Sequence, residues 1–303
     1  MSGPALGRVA VRWRAGAGCD AAPLRATWWR VLGGAAGVAA GVAARLALAA
    51  AVLALGGAGP ATAGTLETVR SRGSVRVCVW PEYYGISLRH PRTQAWEGLD
   101  IDLSRELGRD LGVAVEYVDS SFATLVRDVL GRRCDVAMFA VAMLPARQEQ
   151  LRFTRAYLQS DIYAVTLRGS RVVARWEDID RPGVVVGVQA GTFMEPVMAA
   201  RLQQARLVRV QAPHTREREL ESGRIDVFMT DYPYSRRLLD NADWAVLISP
   251  PQPFQVMPYG YAVHPHDAVW WSELDGFVAR IQRDGRLRAA AQRHRLLPIA
   301  QLP

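Results

Sequence analysis

Two stretches of the sequence carry groups that suit a small anion. Arg147 follows a continuous apolar run, and the planar guanidinium group of arginine matches the two oxygens of a carboxylate. Gly191 and Thr192 stand between a short β-branched run and a predicted helix, where backbone N–H groups and the threonine hydroxyl could bind the same anion. The alternatives are a solvated surface arginine and an ordinary helix cap, since the chain holds 37 basic residues and every one is arginine.

These residues lie in an alternating pattern of predicted strands and helices. Every fourth residue from Leu99 to Leu111 is a leucine, which is typical of the buried face of an amphipathic helix. Asp135 is followed by a continuous apolar run over residues 136–141, as expected for a strand that is buried on both faces. Strands separated by helices of about 10–15 residues indicate βαβ units, so the predicted fold class is α/β with parallel sheets.

The pattern occurs twice along the chain. The first unit has predicted strands at 74–80, 113–118 and 135–141, and helices from Leu99 and from Phe122, the latter with Ser120 and Ser121 as N-cap candidates. The second unit has predicted strands at 184–188, 207–210 and 225–229, and helices at 193–205, at 217–222 and from about Asp231. A strand at 259–263 and two C-terminal helices follow, with an apolar stripe of Val269, Leu274, Phe277, Val278 and Ile281.

Such a fold has a predictable place for a ligand. In open α/β sheets, ligands bind beyond the carboxyl ends of the strands. Those ends are expected here at residues 80–84, 139–141, 189–192 and 230–232, and Arg147 lies in the loop after the second of them. The two anion-binding stretches are therefore expected to face one cleft.

Residues 1–63 have the pattern of an export signal. Arg30 and Arg45 precede an apolar run at 46–55, and Ala61-Thr62-Ala63 offers small residues at the positions that signal peptidase requires. We expect cleavage after Ala63 and a periplasmic mature protein. A transmembrane helix over residues 31–57 is the alternative, because that segment is long enough to span a bilayer.

Composition excludes several classes of protein. The chain is 50% hydrophobic and 22% charged, which is typical of a globular protein. Its sequence pI is about 9.9, yet after residue 63 the arginines are interleaved with Asp and Glu. No stretch combines basic and aromatic residues as a nucleic-acid interface does, so nucleic acid is not an expected partner.

Cys78 and Cys134 are the two cysteines that remain after the predicted cleavage. No histidine stands at ligand spacing from them, so we expect no metal. Two alternatives stay open for the pair: a disulfide, which an oxidising compartment favours, or two buried thiols.

Five motifs, in this order and spacing, resemble those of the family 3 extracellular solute-binding proteins, the periplasmic receptors of amino-acid ABC transporters. The resemblance extends from residue 74 to about 296. The motifs are Gly98-Leu-Asp-Ile-Asp-Leu, Gly131-Arg-Arg-Cys-Asp-Val-Ala-Met, Arg147 with Leu151-Arg-Phe-Thr-Arg-Ala-Tyr157, Val186-Gly-Val-Gln-Ala-Gly-Thr192, and Gly223-Arg-Ile-Asp-Val-Phe-Met-Thr-Asp231.

The resemblance implies the type II periplasmic-binding-protein fold, in which two α/β lobes are joined by two hinge strands. Residues 64–163 and 258–303 would form the first lobe and residues 164–257 the second, with the chain crossing near 160–167 and 256–263. It also implies a monomeric receptor without cofactor or catalytic residues, which delivers an amino acid or related small carboxylate to a membrane ABC permease.

The resemblance also assigns roles to individual residues. Arg147 would hold the ligand α-carboxylate together with Thr192, and Asp231 would pair with the α-ammonium, unless Asp231 only caps its helix. Tyr83 would be the aromatic platform of the first loop, with Trp80 and Tyr84 as weaker candidates. Where the receptors usually have serine-rich sequence, this chain has Phe139, Ala140 and Val141, and Phe193 replaces a threonine. These four residues predict a more apolar pocket, suited to an aromatic or bulky amino acid or to a carboxylate that lacks ammonium contacts.

Two other functions remain as alternatives. Residues 179–184, 229–231 and 251–254 also resemble cyclohexadienyl dehydratases, exported enzymes of the same fold, but Tyr234 stands where those enzymes have a glutamate. That reaction needs a positioned general acid, so we expect no enzyme activity. Cys78 and the Arg133-Cys134-Asp135 motif resemble binding-protein homologues that accompany periplasmic quinoprotein dehydrogenases and act through a protein partner.

Overall fold

The computed structural model describes residues 64–212 and 214–303, apart from the side chain of Arg237. The predicted export signal, its cleavage site after Ala63 and the alternative membrane span at 31–57 lie outside the described residues. Within those ranges, the helices are too short or too polar to cross a bilayer.

Fourteen strands and nine α-helices make up the described chain. In chain order the strands are β1 (Ser74–Val79), β2 (Glu82–Tyr83), β3 (Ser87–Arg89), β4 (Trp96–Glu97), β5 (Ala114–Asp119), β6 (Val136–Ala142), β7 (Arg152–Phe153), β8 (Leu158–Ser160), β9 (Ile162–Leu167), β10 (Val185–Gln189), β11 (Arg206–Val210), β12 (Val227–Asp231), β13 (Ala245–Ile248) and β14 (Met257–Val263). The α-helices are α1 (Thr65–Arg72), α2 (Leu99–Leu111), α3 (Leu125–Leu130), α4 (Pro145–Gln148), α5 (Met194–Arg201), α6 (Arg216–Glu221), α7 (Tyr232–Leu239), α8 (Ala268–Arg283) and α9 (Arg286–Arg293).

The strands form two mixed sheets, and each sheet is the centre of one lobe. The first lobe is built on the order β5-β1-β6-β14-β7, with β8 also paired to β14. The second lobe is built on the order β11-β10-β12-β9-β13. In both, the central pairs are parallel, and a strand from the hinge region joins antiparallel. A small third sheet, β2-β3-β4, covers one end of the first lobe. The predicted α/β two-lobe fold is confirmed.

The cores follow the predicted patterns closely. Leu99, Leu103 and Leu107 are fully buried on one face of α2, and all seven residues of β6 are buried. The C-terminal stripe needs one correction, because Val269 is exposed while its neighbour Trp270 is buried. Trp270 donates its indole N–H to the carbonyl oxygen of Asp135 at 2.7 Å, which fixes the face of α8 that turns inward.

Two helices are shorter than their sequence pattern predicts. The helix expected from Phe122 begins at Leu125, because residues 121–124 form a separate turn that Ser121 closes through bonds to the N–H of Thr124 and of Leu125. The helix expected over 193–205 ends at Arg201. The Asp180 carboxylate accepts from the backbone N–H groups of residues 203, 204 and 205 and so holds that segment away from a helical path. The sequence pattern did not predict the small sheet β2-β3-β4.

Cys78 on β1 and Cys134 just before β6 are joined by a disulfide, with their Cα atoms 5.5 Å apart. The bond ties two strands that are also paired through backbone hydrogen bonds, and it closes a loop over a sequence separation of 56 residues. Crosslinks of this length stabilise folded proteins mainly by restricting the unfolded chain.

We expect the double variant Cys78→Ala/Cys134→Ala to lose about 2–4 kcal/mol of unfolding free energy, because its unfolded state regains the entropy that the crosslink removes. Guanidinium unfolding measures this loss. Wild-type protein unfolded in a strong reductant is the matched control and should approach the variant. The disulfide would be contradicted if the wild-type unfolding midpoint were the same with and without reductant and if two free thiols could be titrated in the unreduced protein.

Candidate functional site

The carboxyl ends of the central strands of both sheets meet at one small cavity of about 20 Å³. That volume holds about one water molecule, since a cavity needs roughly 10–15 Å³ for one. Six of the eight residues expected to bind ligand line it: Tyr83, Ala140, Arg147, Thr192, Phe193 and Asp231. The predicted cleft is therefore present, and in this conformation the two lobes are closed over it.

Phe139 and Val141 do not line the cavity. Both are fully buried in the first lobe, whereas their neighbours Ala140 and Ala142 face the cavity. Side chains alternate between the two faces of a strand, so consecutive residues of β6 cannot all reach one ligand. Phe139 instead packs behind the cavity wall, with its ring centre 5.0 Å from that of Phe122.

Seven further lining residues were not predicted as ligand contacts: Phe122, Ala142, Met194, Arg216, Thr230, Tyr234 and Tyr259. Thr230 and Tyr234 flank the predicted Asp231, so proximity in sequence could have suggested them. Trp80, a weaker candidate for the aromatic platform, lines the cavity and is buried. The sequence did not indicate Arg216 as a site residue, because an arginine at the start of a short polar helix is usually solvated.

Arg147 bridges the two lobes. Pro145 begins the short helix α4, which turns the chain so that the Arg147 side chain enters the cleft and is 6% exposed. Nη1 donates to the carbonyl oxygen of Ala142 at 2.9 Å and Nη2 to that of Gly191, in the second lobe, at 2.5 Å. Burial lowers the pKa of the guanidinium to about 10, so it stays charged at neutral pH.

Asp231 caps its helix, as one of the two roles considered for it requires, and its carboxylate also lies at the cavity. It is the N-cap of α7, where Oδ1 accepts from the backbone N–H of Tyr234 at 3.2 Å. Oδ2 accepts from the hydroxyl of Tyr259 at 2.9 Å and from the hydroxyl of Tyr83 in the first lobe. Burial raises the pKa of the carboxyl, and the bonds from the two tyrosines oppose that shift.

The Gly191 N–H and the Thr192 hydroxyl, which were expected to bind an anion, donate to groups of their own segment. The N–H of Gly191 donates to Oε2 of Glu195 at 2.8 Å, and the Thr192 hydroxyl donates to the carbonyl oxygen of Gln189 at 2.7 Å. Helix α5 begins only at Met194, two residues after the stretch expected to open it. In the closed cleft these groups stabilise the turn.

Aromatic side chains from both lobes pack against one another at the cleft. The rings of Trp80 and Tyr234 stack at 13° with centres 6.2 Å apart, and Tyr84 meets Tyr234 edge-on at 5.1 Å. Phe193 and Tyr259 form another edge contact at 6.1 Å. Tyr234 lies at the cavity, and its hydroxyl donates to Oε1 of Glu217.

A buried carboxylate shapes the first-lobe wall of the cavity. Ala140 has a left-handed backbone, with φ of 49°, and its N–H donates to Oδ2 of Asp100 at 2.8 Å. The hydroxyls of Tyr157 and Tyr261 donate to the same carboxylate at 2.6 and 3.1 Å. Burial outweighs these bonds and raises the pKa of Asp100 to about 7.

Metal chemistry has no support in the described residues, which contain no group of three His, Cys, Asp or Glu side chains placed to hold an ion. The two lobes, the hinge strands and the interlobe cleft define the type II periplasmic-binding-protein fold. Residues 75–296 match the family of bacterial extracellular solute-binding proteins, family 3, and the chain belongs to that family.

Similar proteins include both binding proteins and an enzyme. Cyclohexadienyl dehydratase of Pseudomonas aeruginosa is 28% identical over 226 residues, which are 74% of this chain and 83% of that protein. The L-cystine-binding protein of Escherichia coli strain K12 is 22% identical over 230 residues, 76% of this chain and 85% of that protein.

Solved structures agree on the fold. The solute receptor for L-cysteine of Neisseria gonorrhoeae superposes with a TM-score of 0.70 at 19% identity, covering 78% of this chain and 95% of the receptor. An ancestral amino acid-binding protein, described as a precursor of cyclohexadienyl dehydratase, gives a TM-score of 0.69 at 24% identity and covers 76% of this chain and 98% of its own. These identities bear on fold alone.

Proposed function

We propose that this protein is the periplasmic solute receptor of an ABC importer and that it binds an amino acid or related small carboxylate. The observation that carries the proposal is the buried guanidinium of Arg147, which faces the interlobe cavity and forms no ion pair with any described carboxylate. A buried charge without a counter-ion is costly, and a ligand carboxylate would offset that cost. Bidentate binding of a carboxylate is the chemistry that this planar group serves best.

The proposed binding cycle requires the lobes to separate. A cavity of about 20 Å³ does not admit an amino acid, so ligand enters an open form in which the carbonyl oxygen of Gly191 leaves Arg147. Arg147, Tyr83 and Ala140 would then present the first-lobe half of the site, and Thr192, Phe193 and Asp231 the second. The lobes would extend over 64–163 with 258–303 and over 164–257. Ligand stabilises the form that it binds more tightly, which we infer to be the closed form. A membrane permease would bind that closed form.

A second candidate function is an accessory binding-protein homologue that acts through a protein partner. The observation that favours it is the closed cleft. Asp231 already accepts from Tyr83 and Tyr259, and Arg147 already donates to the carbonyl oxygen of Gly191, so the groups that a solute would use have partners within the protein. Such a protein would need no solute. The similarity to cyclohexadienyl dehydratase supports a third candidate more weakly, since Tyr234 supplies a phenol where the enzyme resemblance requires a carboxyl.

A thermal-shift screen of the protein purified from expression of the full chain, unfolded and refolded to remove bound solute, tests the proposal. The compounds are amino acids, aromatic keto acids and prephenate. A ligand at 100 times its Kd adds about 2.7 kcal/mol, which is a shift of several degrees for a protein of this size. We expect one class of carboxylate to produce it, and Arg147→Ala to abolish the shift while the variant still unfolds cooperatively.

Arg152→Ala is the matched control, because this arginine packs on the ring of Trp271 away from the cavity. It should retain the ligand shift. No shift with any compound would refute the receptor function and support the accessory function, for which pull-down from periplasmic extract would follow. A shift with prephenate would lead to an assay of turnover.

A further inference from the structure

Arg216 is a second buried cation at the cavity. It begins helix α6, is 3% exposed, and donates from Nη1 to the carbonyl oxygen of Met229 at 2.9 Å. Its guanidinium carbon lies 4.2 Å from the ring centre of Tyr234. The carboxylates next to it in sequence are engaged elsewhere: Glu219 pairs with Arg224, and Glu217 accepts from Tyr234. Among the described residues Arg216 has no ion-pair partner.

A buried hydroxyl lies at the same cavity. Thr230 is fully buried on β12, lines the cavity, and its Oγ1 has no hydrogen-bond partner among the described residues. Buried polar atoms in folded proteins are nearly always paired, so an orphaned hydroxyl at a cavity points to a group that arrives from outside the chain. Arg216 and Thr230 are thus two polar groups with unused bonding capacity in one place.

The charges of the lining favour an anion over a zwitterion. Arg147 and Arg216 are cations, and Asp231 is the single carboxylate of the described lining. Its two oxygens already accept three bonds, from the hydroxyls of Tyr83 and Tyr259 and from a backbone N–H. A ligand ammonium would have to displace a tyrosine from it. A second ligand carboxylate would instead meet a cation that has no described carboxylate at ion-pair distance.

We propose that Arg216 and Thr230 form a second anion-binding subsite and that the solute is therefore a dicarboxylic acid, with one carboxylate on Arg147 and the other on Arg216. The aromatic lining favours a dicarboxylate with a ring or a bulky apolar body. This inference rests on the proposed receptor function and names its class of ligand.

Three probes that contain the 3-phenylpropionate core test it. 3-Phenylpropionate carries one carboxylate, phenylsuccinate adds a second, and phenylalanine adds an ammonium instead. Isothermal titration of the refolded protein, purified from expression of the full chain, should give phenylsuccinate at least about tenfold tighter binding than either of the others, because each charged hydrogen bond contributes roughly a factor of ten or more.

Two variants assign that preference to the subsite. Arg216→Gln should remove the advantage of phenylsuccinate over 3-phenylpropionate, while Arg218→Gln, an exposed arginine on the same helix, should keep it. Thr230→Val removes a hydroxyl that has no partner, so the variant should fold with an unchanged or higher Tm, yet bind phenylsuccinate several-fold more weakly.

The outcomes separate this inference from the proposed function. Binding of phenylalanine or 3-phenylpropionate with no gain for phenylsuccinate overturns the second subsite and leaves the receptor function standing. An advantage for phenylsuccinate that survives both Arg216→Gln and Thr230→Val also overturns it. No binding of any probe, combined with an empty thermal-shift screen, overturns the receptor function and the inference together.

Discussion

Gly191→Ala is expected to prevent lobe closure and to weaken ligand binding by about two orders of magnitude. A Cβ atom at this position would lie 2.6 Å from the backbone nitrogen of Ala123 and 2.7 Å from the carbonyl carbon of Phe122, in the opposite lobe. Real Cβ atoms do not approach backbone this closely, and neither segment can yield as a flexible side chain can. In an open form the same methyl group meets no opposing lobe, so the variant should fold and remain open.

Small-angle X-ray scattering measures the expected opening as a larger radius of gyration, with and without ligand. Residue 191 has φ of 77°, so alanine there also carries backbone strain of roughly 1–2 kcal/mol. Gly223→Ala is the matched control, because Gly223 lies in the same lobe with φ of 71° and open space around its missing Cβ. The control should close and bind as wild type does. If the Gly191→Ala variant closed and bound ligand as tightly as wild type, the predicted clash with the backbone of Phe122 and Ala123 would be contradicted.

The elements and the place of the site were largely predictable because they depend on local patterns. Leucine at every fourth position predicts α2, and the apolar run before Arg147 predicts β6. Strand ends that are far apart in sequence meet at one cavity, as parallel topology requires. Asp231 could be identified as both cap and cleft residue, since its position at a strand end and helix start serves both.

The details of the site depend on contacts between distant residues, and the sequence could not show them. Arg216 is buried only because α6 packs against the second sheet, and no neighbouring residue signals that burial. Ala140 faces the cavity in a left-handed conformation that Asp100 holds from 40 residues away. A local pattern predicts instead that Phe139, Ala140 and Val141 share one role. The closed cleft likewise depends on the bond between Tyr83 and Asp231, 148 residues apart.

Asp100 connects the stability of the fold to the shape of the site. Its carboxylate is wholly buried and accepts from the N–H of Ala140 and from the hydroxyls of Tyr157 and Tyr261. Because burial raises the pKa of Asp100 from 3.8 to about 7, the folded protein binds a proton here more tightly than the unfolded chain does. The stability gained from that proton is complete below about pH 4 and is lost as the pH rises through about 7.

Asp100→Asn should therefore flatten the dependence of unfolding free energy on pH between about 4 and 7. A pKa difference of about three units corresponds to about 4 kcal/mol, so wild type should lose up to that amount across this range from Asp100, and the variant should not. Urea unfolding at half-unit pH steps measures the difference. Other buried carboxyls with raised pKa values, such as Asp231, are present in both proteins and cancel when the curves are subtracted.

Asp119→Asn, which removes an exposed carboxylate paired with Arg89, is the control and should parallel wild type. Parallel curves for wild type and Asp100→Asn would mean that the buried carboxyl does not change its protonation on folding.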